Sequence, residues 1–392
     1  MRIGIDIRAL VGRMWFSSSF PNGVAEYVFR IVEGLVENDR ENEYILFFNS
    51  FKNPNIKILE KILNLPNVNL RVFRFPNKLF DRIARFLRWP KIDKLLGGVD
   101  IYISPHINIT PLSKETKFIQ VVHDLSFEVY PEFYALRKRF WNWSQDVRGS
   151  CCRADVIIAV SESTKHDIVT FYDIPEEKIK VIHEGSDQLL VSRDELLEES
   201  GIFERCGIKD GYILFLGTIE PRKNIISLIR AYEKLCKRKK VGQLVIVGAK
   251  GWSWGKILRV ASISGVADNI IFTGYVNDLE RKNLYSKARI FVWPSYYEGF
   301  GFPPLEAMRC GVPVITSNVS SLPEMCGDGA FYINPHDIND ISRAMDILYS
   351  NEDLRNVLVT KGYEQTKKFK WNNTVVKTQE VIESLINECS GN

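Results

Sequence analysis

Twelve short apolar runs, each followed by a longer stretch of helical character, constrain this chain more than any other feature of its sequence. In the first half they are Arg2–Ile7, Tyr44–Asn49, Asn69–Phe73, Asp100–Ser104, Phe118–His123 and Val156–Val160. In the second they are Tyr212–Leu216, Gln243–Val247, Asn269–Thr273, Ile290–Trp293, Val312–Thr316 and Ala330–Ile333. Helical spacing fills the gaps, as in Val24–Glu37. Short β runs alternating with helices predict parallel sheets joined by right-handed crossovers. The alternation lapses between about Ser186 and Lys209, an acidic, mixed stretch that reads as a linker. The fold class expected is therefore α/β, with two doubly wound Rossmann-like domains meeting near residue 190. A length of 392 residues agrees with that, since domains typically run to about 100–200 residues. Ligands of such sheets bind beyond the carboxyl ends of the strands, so a cleft shared by two domains is the expected site.

Composition excludes several partners. With 52 basic and 48 acidic side chains the net charge is +4, too mild to point to nucleic acid. No apolar stretch approaches the ~20 residues that span a bilayer. The N-terminal MRIGIDIRAL, with its charges, reads as a strand and not as a secretion signal. The seven cysteines are scattered without metal-ligand spacing, and the cytoplasm suits them best.

The most informative segment is FVWPSYYEGFGFPPLEAMRCGVPVIT, residues 291–316. A strand ends near Trp293, a loop with Gly299, Gly301, Pro303 and Pro304 follows, and a helix begins near Leu305. Glycines allow a ligand close to the backbone, and amides at a helix start can face an anion. Glu298 in the loop and Glu306 in the first turn can accept hydrogen bonds from sugar hydroxyls. Alternatively, Glu306 only complements the helix dipole and Glu298 is an ordinary loop residue. Two acids, two glycines and two prolines in fixed order are more specific than either acid alone. The dinucleotide fingerprint GxGxxG is absent.

This segment resembles the E-x7-E motif of glycosyltransferase family 4, retaining enzymes of the GT-B fold with two Rossmann-like domains facing a central cleft. The resemblance implies that Glu298 binds the donor sugar's hydroxyls and Glu306 the nucleotide's ribose. Gly299, Phe300, Gly301, Phe302 and Leu305 would line the donor pocket. It implies further that a helix from about Trp371 to 392 packs back on domain 1–190, leaving 191–370 as the donor-binding domain.

Residues 212–232, YILFLGTIEPRKNIISLIRAY, run from a strand through Gly217 to a loop with Arg222 and Lys223. Adjacent cations at a strand-to-helix turn suit a diphosphate, although a solvated basic turn would look the same. No Asp-x-Asp pair is present to hold a divalent ion, so no metal site is assigned and side-chain cations take that role. The family resemblance implies that Arg222 and Lys223 contact the donor phosphates. Family members carry two adjacent glycines where this chain has Asn22–Gly23, and Gly23 is counted with the donor site. His-Asp-Leu at 123–125 is similar to family 4 transferases of surface-polysaccharide assembly, which implies that His123 lies near the reacting sugar as a ligand or positioning group. A structural histidine is the plainer alternative. Thr273–Val276 resembles the base-binding turn, with Tyr275 and Val276 acting through main-chain groups, and Val160–Ser163 with Lys165 resembles a further family segment.

The catalytic set expected is His123, Arg222, Lys223 and Glu298. Glu298→Ala and Lys223→Ala should each cut turnover while the protein stays folded. The reaction implied is retaining transfer of a hexose, best mannose from GDP-mannose, to a saccharide or lipid-linked saccharide acceptor. The nucleotide sugar, GDP- or UDP-linked, is a substrate, and no cofactor is expected. The rival readings are a UDP-sugar transferase, a non-catalytic nucleotide-sugar binder, a dehydrogenase and a pyridoxal-dependent phosphorylase. The last two fare worst, for want of GxGxxG and of length. Finally, Lys52–Lys94 holds eleven Lys/Arg against three acids. Within it Leu79, Ile83, Phe86 and Leu87 share a helical face beside arginines. Such a helix suits peripheral contact of residues 78–94 with an anionic membrane on its cytoplasmic side, or packing on the domain core.

Overall fold

The computed structural model describes residues 1–10, 23–50, 56–187 and 201–390. The turn Pro21–Asn22 before Gly23 and most of the expected linker lie outside the described residues. The chain divides into two compact units. One is Met1–Gly185 with Trp371–Asn392, the other Ser186–Lys370.

In the first unit seven strands form one sheet: β1 (Arg2–Asp6), β2 (Glu43–Asn49), β3 (Val68–Phe73), β4 (Ile101–Ser104), β5 (Lys117–Val122), β6 (Val156–Ala159) and β7 (Ile179–Val181). Their order is β3-β2-β1-β4-β5-β6-β7, and every pairing is parallel. The second unit carries β8 (Ile213–Leu216), β9 (Leu244–Val247), β10 (Ile270–Gly274), β11 (Ile290–Trp293), β12 (Val314–Ser317) and β13 (Ala330–Ile333). Their order is β10-β9-β8-β11-β12-β13, again all parallel. Each expected run is a strand, with ends moved by two residues at most. The strand not foreseen is β7, a three-residue edge element too short for a periodicity to register.

Strands such as ILFL, LVIV and IFVW are apolar at nearly every position because helices cover both faces of a parallel sheet. The order reverses between β1 and β4 in the first unit and between β8 and β11 in the second. At such a switch point the chains leave in opposite directions and open a crevice at the carboxyl edge.

The first unit is closed by a helix from distant sequence. Trp371–Ser390 packs on helix Gly23–Asn38, burying Trp371, Val375, Ile382 and Leu385. The contact is tight: a β-carbon on Gly34 would lie 2.3 Å from Val375 Cγ2, and one on Gly185 would lie 2.3 Å from the Trp371 amide nitrogen.

Within the basic stretch, helix Asn77–Leu87 divides its apolar residues between core and surface. Phe80 and Ala84 are buried in the core, whereas Leu79, Phe86 and Leu87 are exposed.

Candidate active site

Arg222 and Lys223 follow β8, and the loop 294–301 follows β11, so the switch point of the second unit brings them together. Lys223 Nζ donates to both carboxylate oxygens of Glu298, at 2.6 and 2.8 Å. Arg222 Nη1 donates to Glu298 Oε2 at 2.9 Å and to the Tyr297 carbonyl at 2.8 Å. Its other edge donates to Glu220 Oε1, at 3.1 and 3.2 Å. Lys223, Glu220 and Glu298 are all buried. Two cations and two carboxylates thus form a charge-neutral cluster, the condition under which buried charges are tolerated.

The cluster is held by main-chain anchors. The Glu298 amide donates to Ser320 Oγ at 2.9 Å, and Ser321 Oγ donates to the carbonyls of Glu298 and Phe300 at 3.0 and 2.6 Å. Lys223 Nζ lies 4.8 Å from the centre of the Trp293 ring, a cation–π contact. Gly217 makes room for that indole, since a β-carbon there would come within 2.6 Å of it. Burial works to raise the Glu298 carboxyl's pKa, but Lys223 and Arg222 outweigh it and the net direction is down. Burial and the neighbouring Arg222 push Lys223 down in turn, against the pull of the carboxylates.

Gly301 sits at φ 118°, where a side chain would be strained, and caps the helix Phe302–Arg309. Pro303 and Pro304 carry no N–H, so the first turn presents the amides of Phe302 and Leu305. Glu306 is buried one turn in. It accepts from Tyr285 Oη at 2.9 Å and Arg281 Nη1 at 3.2 Å. Tyr275 follows β10 and is exposed, with Val276 buried beside it. Gly299 and Phe300 are buried within the loop that joins Glu298 to the helix.

The other two expected residues lie in the first unit, His123 just beyond β5 and Gly23 as the first residue of the helix Gly23–Asn38. His123 Nδ1 is 2.7 Å from Glu184 Oε1 and Nε2 is 2.8 Å from the Pro105 carbonyl. Both partners are acceptors, so the pocket favours the doubly protonated ring. Burial opposes that charge, but the Glu184 carboxylate outweighs it and raises the pKa. Tyr27 meets the ring edge-on at 4.8 Å. At the switch point of this sheet stand Asp6, at the end of β1, and His106, beyond β4. Arg8 forks onto the fully buried Asp6 carboxylate at 2.6 to 3.0 Å. Among the described residues no group of three His, Cys, Asp or Glu side chains is placed to hold a metal ion.

Residues 202–365 match the family model for glycosyl transferases group 1, and residues 21–188 match that for glycosyltransferase family 4. The chain is 33% identical over 289 residues to O-antigen chain mannosyltransferase B of Escherichia coli, covering 73% of each chain. The chain belongs to the group 1, family 4 glycosyltransferases. A second Escherichia coli relative, the serotype-specific mannosyltransferase WbdA, is 34% identical over 66% of this chain; that match spans only 32% of WbdA's length. Among solved structures, sucrose-phosphate synthase from Thermosynechococcus elongatus has the same fold at a TM-score of 0.72 and 18% identity, covering 99% of both chains. Anabaena HepE in complex with UDP and glucose follows at 0.69 and 16%, covering 98% of this chain and 100% of its own.

In this glycosyltransferase the expected residues thus fall into separate groups. Arg222 and Lys223 each bond Glu298 directly, whereas Glu306 has its own partners in Arg281 and Tyr285. Sequence reasoning missed those two, together with Glu220, Ser320 and Ser321. Arg281 and Tyr285 are four apart on one helix, hence on one face, but only the folded sheet shows that this face meets Glu306. Glu184 was missed because β7, just before it, was not foreseen.

Proposed function

We propose that this glycosyltransferase transfers mannose from GDP-mannose to a saccharide or lipid-linked saccharide of a surface polysaccharide, with retention of the anomeric configuration. The observation that carries the reading is the neutral cluster of Arg222, Lys223, Glu220 and Glu298 at the switch point. The relative named as an O-antigen chain mannosyltransferase supports the choice of sugar.

The donor's diphosphate replaces Glu298 as the anionic partner of Arg222 and Lys223. The carboxylate oxygens so released accept bonds from the sugar hydroxyls. Glu306 accepts from the ribose, the Phe302 and Leu305 amides face the phosphate and sugar, and the main chain at Tyr275 and Val276 meets the base. As the glycosidic bond breaks, charge grows on the departing phosphate. Fixed cations in a buried setting stabilise that charge most, and losing one such group costs about 10²–10³ in turnover. No side chain is assigned as nucleophile. The acceptor attacks from the face the phosphate leaves, and the phosphate takes its proton. His123 is read as a positioning group on the acceptor side, because both its nitrogens are committed.

A thermal-shift panel of GDP-mannose, UDP-glucose, UDP-galactose and ADP-glucose tests the donor. GDP-mannose at about 100 times its Kd should stabilise by about 2.7 kcal/mol. A shift with a UDP-sugar alone would reassign the nucleotide, and a product of opposite anomeric configuration by NMR would overturn the mechanism. Neither shift nor transfer with any of these donors would sink the reading itself.

A further inference from the structure

The first unit carries an exposed face that donor chemistry does not use. Helix Asn77–Leu87 leaves Leu79, Phe86 and Leu87 exposed, while Phe80 and Ala84 are buried in the core. Helix Leu136–Ser144 lies beside it and leaves Leu136, Phe140, Trp141 and Trp143 exposed. The exposures are large: 72% for Phe86, 71% for Leu87, 79% for Leu136 and 66% for Phe140. Trp89, just past the first helix, is exposed as well. Leu136, Phe140 and Trp143 are spaced i, i+4, i+7 and so share one stripe.

Contacts fix the two helices as one surface. Arg85 stacks over the Trp143 ring at 5.0 Å and pairs with Asp146 at 2.6 Å. Arg88 pairs with the same Asp146. A burial-driven fold leaves such a run of large apolar side chains in water only at a cost, about 25 cal/mol for each Å² exposed. An apolar patch of this kind marks an interaction surface.

Its charge says what covers it. Lys78, Arg82, Arg85, Arg88 and Lys91 belong to the first helix and its exit, and Arg137, Lys138 and Arg139 to the second. Across both helices the sole acid is Asp81. A cavity of about 660 Å³ opens in the same region, where Arg85, Arg139 and Arg148 outnumber the acids Glu128 and Asp146 beside Phe140 and Trp143. Exposed Trp, Phe and Leu ringed by Lys and Arg match the two zones of an anionic bilayer interface. Apolar rings enter the acyl boundary, cations stay with the headgroup phosphates, and each cation near the surface contributes about 1 kcal/mol. A second copy of the chain would bring this cationic rim against itself, which disfavours self-association. Among the described residues no helix is long and apolar enough to cross a membrane, so the contact is peripheral.

We infer that the face built by helices Asn77–Leu87 and Leu136–Ser144 docks this enzyme on an anionic lipid bilayer. The full chain is sedimented with vesicles of phosphatidylglycerol and, separately, of phosphatidylcholine. Binding to the anionic vesicles should exceed binding to the neutral ones at least tenfold and fall as salt rises. Brominated acyl chains should quench part of the tryptophan emission. Leu136→Ser with Phe140→Ser should abolish sedimentation while thermal shift with nucleotide sugars is unchanged, which separates this inference from the donor reading. Arg82→Ala with Arg137→Ala, exposed changes that leave the core alone, should weaken binding at least fivefold. Equal binding to neutral vesicles, no binding at all, or a dimer that the Leu136/Phe140 variant dissociates would overturn the proposal.

Discussion

At Glu298 one carboxylate bonds both cations of the cluster, Arg222 and the buried Lys223, and that duty is separable from any bond to a sugar. Removing one member of a buried ion cluster costs about 3–5 kcal/mol, because the partners left behind stay charged. Glu298→Gln keeps the shape and removes the charge. It should lower stability by about 3 kcal/mol, read in thermal melts, as well as turnover by about 10²–10³. A purely chemical role would leave the melt unmoved. His123 makes the opposite case for pH. Its folded pKa is raised, so the stability it contributes is fully present below the unfolded value of about 6.5 and is lost as pH rises through the folded value. Its Cε1 proton should titrate above pH 6.5 by NMR, and Glu184→Gln should bring the midpoint down; a wild-type midpoint below 6.5 would contradict the upward shift. Glu298, Arg222 and Lys223 were legible in the sequence because each closely follows an apolar strand. The bonding of the two cations to Glu298 was not, because that carboxylate is about 75 positions away in sequence and meets them only through the order of β8 and β11.

At the scale of elements, strands were legible and packing partners were not. Runs such as LVIV announce themselves by composition, whereas β7 is three residues and its neighbours conceal it. The amphipathic helix Asn77–Leu87 shows the limit of periodicity: its apolar residues cover two faces, and only the fold says which is buried. The Gly34–Val375 contact has a measurable consequence. Alanine at a helix interior is better than glycine by about 1 kcal/mol. Here its methyl would lie 2.3 Å from Val375 Cγ2, and overpacking costs about 1–3 kcal/mol. Gly34→Ala should therefore lower the melting temperature despite the better helix former. Val375→Ala in the same chain should recover part of the loss, as a double-mutant cycle would show. Additive effects of the two changes would refute the contact.

For the whole molecule, the alternation of strand and helix sufficed to foresee two doubly wound sheets, because both faces of a parallel sheet must be covered. Which stretch of surface stays apolar was harder to read. Helix Leu136–Ser144 looks like any short amphipathic segment until its neighbour Asn77–Leu87 is placed beside it. The path of the chain has its own consequence. The first unit is interrupted at Gly185 and resumes at Trp371, with the Trp371 backbone seated where Gly185 lacks a side chain. During synthesis the second unit therefore emerges whole before the first has its closing helix. The half that is translated earliest waits with Val375's groove on Gly23–Asn38 open to water, and it is completed only after the half that is translated later.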